Sequence, residues 1–92
     1  MRFKKWNIIR MFSFEKEIVG LMKEKTKKEF IQFLKDNAVY YGTHVDVINN
    51  RVVYCKYYSL AVRNNTLNKD FLVLDDDLYY WDDYNNLIEL ID

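Results

Sequence analysis

Asn49-Asn50 stands between two long runs rich in Val, Tyr and Ile, residues 43–49 and 51–62, and this constrains the fold more than any other feature. Asparagine tolerates the positive φ of a tight hairpin turn, and β-branched and aromatic residues suit strands. With a two-residue turn, facing positions sum to 99, so Val47 meets Val52, Val45 meets Tyr54 and His44 meets Cys55. Val45, Val47, Val52 and Tyr54 then share one face, the expected core side. An isolated hairpin is marginal in water, so that face needs a cover.

The residues before the hairpin supply one. Phe14, Ile18, Leu21 and Met22 recur at helical spacing after Ser13, a candidate N-cap. Phe30, Phe33, Leu34 and Tyr41 form a second stripe, rotated away from the first. Thr26-Lys27-Lys28-Glu29 matches the capping box. Two helices, or one broken near Lys25, are expected, with Gly42 as the stop. Residues 2–12 show no clean period. After a polar loop, Asn64 to Asp70, the apolar runs Phe71–Leu74 and Leu78–Trp81 read as further strands. Asp82 or Asp83 is expected to cap a short last helix, with Leu87, Ile88 and Ile91 facing inward. The expected architecture is a single α+β domain over residues 1–92, a small two-layer fold. N-terminal helical segments pack on an antiparallel sheet of three to four strands, and a short C-terminal helix follows.

Composition narrows the chemistry. At 92 residues, 50% hydrophobic and 30% charged, the chain matches a folded domain rather than a disordered one. One Cys and one His exclude a disulfide framework and a Cys/His zinc site. No membrane-length apolar run or signal-peptide pattern is present, so a cytoplasmic protein is expected. Phe, Tyr, Met, Ile, Asn and Lys total 43 residues, against eight for Gly, Ala, Arg and Pro. That skew points to an A/T-rich genome, in which short, motif-free chains are common among phage and mobile-element genes.

Charge is balanced overall but separated along the chain. Residues 1–63 carry a net +7 and residues 64–92 a net −7. Such asymmetry suits an electrostatic partner, or ends that neutralise each other within the fold or across a homodimer. The acidic, aromatic segment Asp75, Asp76, Asp77, Tyr79, Tyr80, Trp81, Asp82, Asp83 and Tyr84 is the candidate partner-binding surface. Its carboxylates suit an Arg/Lys-lined groove made for nucleic acid, and its aromatics supply anchor area. Asp75–Asp77 with Asp82 and Asp83 also suit a hard cation, but lack the EF-hand order, and a solvated loop is the simpler reading. The basic residues Lys23, Lys25, Lys27, Lys28 and Lys35, with Arg2, Lys4, Lys5 and Arg10, offer a second surface for phosphates. Phe3 and Trp6 add stacking there.

His44 opposite Cys55, with Asp46 on the same face, is the one arrangement resembling a catalytic thiol. It lies mid-strand, away from any helix N-terminus, so a buried structural thiol is expected. No Walker loop, dinucleotide fingerprint or nucleophile elbow occurs. The resulting expectation is a non-enzymatic inhibitor without cofactor or metal. It would block a host defence or nucleic-acid-processing enzyme in the manner of anti-CRISPR proteins. The alternative is a nucleic-acid-binding accessory protein using the basic half.

Overall fold

The Asn49-Asn50 turn forms as its chemistry requires, with φ of 53° and 62°. The computed structural model describes residues 2–3, 20, 22–62, 67–82 and 84–92. These comprise β1 (Arg2–Phe3), α1 (Lys27–Asn37), β2 (Val39–Ile48), β3 (Arg51–Val62), β4 (Leu67–Leu74), β5 (Asp77–Trp81) and β6 (Leu87–Ile91). The strands make one antiparallel sheet in the order β1-β6-β5-β4-β3-β2. From β2 to β6 each strand pairs with the next in sequence. Among the described residues β1 contributes two, Arg2 and Phe3, paired with β6 at the far edge.

This overturns the expected proportions. The described chain is chiefly an antiparallel sheet with one helix, and the expected C-terminal helix is strand β6. Leu87-Ile88-Glu89-Leu90-Ile91 pairs with Leu78–Trp81 instead of coiling. The helix before the hairpin is shorter than its apolar stripe implies. It ends at Asn37, and Tyr41 lies in β2. Gly42 is not a helix stop. It takes φ +89° at the register shift between Tyr40 and Gly42, a bulge in the edge strand. The expected loop at Asn64–Asp70 is mostly strand, because β4 begins at Leu67. Residues 4–12, Ser13, Phe14, Ile18, Leu21, Asn64 and Asp83 lie outside the described residues.

Other local signals act as read. Thr26 Oγ1 accepts from the Glu29 amide at 3.1 Å, and Glu29 Oε1 accepts from the Thr26 amide at 3.0 Å. These bonds hold the Glu29 carboxyl below its usual range. Met22 and Lys23 have helical backbone, and the chain turns at Glu24 and Lys25 before α1 starts. The hairpin register is the one expected, Val47 to Val52, Val45 to Tyr54 and His44 to Cys55.

α1 covers one face of the sheet. Phe30, Leu34, Phe71, Leu78 and Tyr80 are fully buried there, joined by Met22, Tyr58, Leu60, Val73 and Leu90. The Phe30 ring meets Phe71 at 5.3 Å, and Phe71 meets Tyr80 at 5.7 Å. The expected core face of the hairpin is absent from this cluster. Val45, Val47, Val52 and Tyr54 lie on the helix side but are 54%, 61%, 65% and 69% exposed. Strand length explains the difference. β4 pairs with β3 only from Lys56 onward, so residues 51–54 and their β2 partners run past the end of β4, an arm about 13 Å long. Its helix-side face is uncovered, while Ile48 and Val53 pack on the other.

The opposite face carries a second cluster of Cys55, Leu72 and Tyr79, flanked by Ile48, Val53, Tyr57, Leu74, Trp81 and Leu87. His44 and Trp81 stand on β2 and β5, three strand spacings apart, or about 14 Å in a flat sheet. Their ring centroids are only 5.4 Å apart. The sheet therefore curls towards this face, and it brings Ile48 beside Leu87 around a small cavity.

Burial sets the energetic contrast. Leu34→Ala should lower unfolding free energy by about 2–5 kcal/mol. Val47→Ala, on the exposed arm, should change it by no more than about 0.5 kcal/mol. Urea denaturation of the two variants checks this, and equal losses would put the arm inside the core.

Candidate functional site

The acidic, aromatic segment is divided by β5. Asp75 and Asp76 form the turn from β4, and Asp75 has φ of 54°. Asp77 starts β5 and pairs with Lys27, with Nζ 3.5 Å from Oδ1. Tyr79 and Tyr80 point to opposite faces and are both buried, so they belong to the two cores. Trp81 is half-buried on the concave face. Asp82 lies at the other end of β5, where its Oδ1 accepts from the amides of Tyr84 at 2.9 Å and Asn86 at 2.8 Å. Those bonds shape the turn into β6 and occupy the carboxylate that was expected to cap a helix. Tyr84 is exposed on that turn. The structure therefore does not gather the segment into one surface; Asp75 and Asp76 stand apart from Asp82 and Tyr84.

The separated charges of the two halves meet at the start of α1. Besides the Lys27–Asp77 pair, the Lys27 amide donates to Asp92 Oδ1 at 2.6 Å. A carboxylate there also complements the positive end of the helix dipole. Lys28 and Lys35 face Asp75, Asp76 and Asp92 across a groove of about 590 Å³. Of the other basic residues, Lys25 lies 5.3 Å from the Phe33 ring centroid, and Lys23 is exposed. The side chains of Arg2 and Phe3, and Lys4, Lys5, Trp6 and Arg10, lie outside the described residues.

His44, Cys55 and Asp46 do share a face. His44 Nε2 is 3.5 Å from Asp46 Oδ2, and His44 is opposite Cys55 in the ladder. Cys55 is only 1% exposed. Burial pushes its thiol up from the ordinary 9.0, and the Asp46 charge adds to the rise. A nucleophile needs the reverse. Among the described residues, no group of three or more His, Cys, Asp or Glu is arranged to hold a metal ion. No described helix is long and apolar enough to cross a membrane.

The concave face holds a cluster that the hairpin reading passed over. Tyr57 packs against Tyr41 at 5.6 Å, His44 at 5.7 Å and Trp81 at 5.5 Å between centroids. Burial pushes the Tyr57 phenol up to about 12, and so do its hydrogen bond to Asp70, the Asp70 charge and nearby Tyr41. A depression of about 540 Å³ opens here, with Tyr41, His44, Tyr57, Ser59, Asn68 and Asp70 among its walls. The signal was the second half of the alternation. Val53, Cys55, Tyr57 and Ser59 continue the face opposite Val52 and Tyr54, the β3 residues assigned to the core. Comparison with protein-family models, curated proteins and solved structures finds no match.

Two outcomes follow from these environments. Tyr57 ionises at 10.0 when unfolded and at about 12 when folded. The unfolded state thus loses its proton first, and stability declines as pH rises above the unfolded value. Urea midpoints should fall across that window, and less steeply in Tyr57→Phe; parallel curves would contradict the assignment. Cys55 should react with a thiol reagent only as fast as the protein opens, so alkylation should accelerate with urea. Rapid labelling of the native protein would reverse this reading.

Proposed function

We propose that this protein is a non-enzymatic protein-binding inhibitor, which acts by laying its hairpin arm and acidic turn on a partner's surface. The exposed face of Val45, Val47, Val52 and Tyr54 carries the reading. Fully burying one such side chain is worth about 1.5–3 kcal/mol, and the described residues leave more than half of each of four neighbours exposed. A rigid hairpin also presents them at little entropic cost, as a binding anchor requires.

The partner's character is argued from charge. Asp75 and Asp76 are exposed at the turn beside the base of the arm, and neither carries an ion pair among the described residues. Carboxylates at the rim of an apolar patch steer encounter with a basic surface. A host protein with a basic nucleic-acid-binding groove meets both demands. The A/T-skewed composition supports a phage or mobile-element accessory gene, and hence a host defence or nucleic-acid-processing enzyme as target.

The test is a pull-down from lysate of a bacterium with an A/T-rich genome, followed by affinity measurement on the retained protein. Val47→Lys with Val52→Glu, which sets opposite charges on facing positions of the hairpin, should leave folding within about 1 kcal/mol of wild type. It should weaken binding by about a hundredfold, corresponding to roughly 2.7 kcal/mol. Asp75→Lys with Asp76→Lys should slow association most at low salt. Unchanged affinity in the arm variant would overturn the proposal. Heparin retention lost only on reversing Lys23, Lys28 and Lys35 would favour direct nucleic-acid binding instead.

A further inference from the structure

We propose that the concave depression between β2, β3 and β4 is a guanidinium site, which receives an arginine side chain of the partner protein. Its walls pair aromatic surface with oxygen acceptors. Tyr41, 65% exposed, and Tyr57 present rings set at 74° to each other. Asp70 stands beside them and accepts the Tyr57 phenol. A carboxylate offers about four acceptor positions, so one phenol leaves most of them open. Ser59, only 7% exposed, and Asn68 place further oxygens on the same wall.

No lysine or arginine is among the described residues of this lining. Asp70 is the one carboxylate among the described residues of the lining. A cation held over a tyrosine face gains from the ring quadrupole, more so where water is partly excluded. The choice of guanidinium over ammonium follows from shape. A planar fork stacks on a ring and bonds a carboxylate through two parallel N–H groups, whereas an ammonium does neither. The volume of about 540 Å³ exceeds one side chain, leaving room for neighbouring peptide.

Only the source of the arginine rests on the protein-binding reading; the affinity for guanidinium does not. NMR titration with acetyl-Gly-Arg-Gly-amide tests the site directly, with the uncharged citrulline peptide and methylguanidinium as companions. Saturating shifts are expected at Tyr41, Tyr57 and Asp70 with the arginine peptide, and none with the citrulline peptide. Asp70→Asn should weaken binding about tenfold, the loss of one charge-assisted pair. Tyr41→Ala, at an exposed position that spares folding, provides a second reading and should weaken it severalfold. Absent shifts, equal response to citrulline, or unchanged affinity in both variants would overturn the site. Methylguanidinium binding more tightly than the peptide would overturn the assignment to a protein side chain. A bound peptide with an unaffected pull-down partner would instead locate the failure in the proposed function.

Discussion

β3 serves two cores at once, and the rest of the structure follows from that double duty. Its even positions Tyr58 and Leu60 pack under α1, while Cys55 lies in the cluster on the opposite face, flanked by Val53 and Tyr57. β2 and β4 flank it in the sheet. Its twelve residues outrun the eight of β4, so part of the strand runs past β4 with β2 as its only neighbour among the described strands. Curling towards Cys55 closes the second core without a second helix among the described residues. The arm and the concave depression are thus two results of one mismatch in length and one choice of curvature.

Much of the local structure was legible from single residues. The Thr26–Glu29 box and the Asn49-Asn50 turn depend on interactions within four residues, and both formed as read. The hairpin register was legible because a two-residue turn leaves no freedom in pairing. The failures share a different cause. Leu87–Ile91 is short and apolar, and period alone does not separate helix from strand at that length. Asp82 supported the helical reading, since a side-chain oxygen that accepts amides serves a turn as well as a cap. Which hairpin face would be buried depended on where β4 stops pairing with β3, a property of no residue in the hairpin.

The candidate surface was legible in composition but not in arrangement. The sequence contrast between a basic and an acidic half becomes, in space, an interface within the molecule, through Lys27 to Asp77 and the Lys27 amide to Asp92. The aromatic content of residues 79–81 divides between two cores because strand neighbours face opposite ways. What remains for a partner is smaller than the sequence segment and lies partly elsewhere. It consists of valines and a tyrosine that alternation had assigned to the interior, with two aspartates beside them.

The order of the sheet also bears on how the chain finds its structure. From β2 to β6 every strand pairs with its successor, across turns as short as Asn49-Asn50 and Asp75-Asp76. Each addition closes a short loop and carries only a modest entropic penalty. A meander of this kind can zip outward from the hairpin, so its contact order is low for a protein so rich in strand. The exception is β1, which meets β6 across nearly the whole length of the chain, Arg2 against Ile91. That pairing cannot form until β6 has docked. Folding speed should therefore be governed by the central strands, with the edge at β1 sealing last.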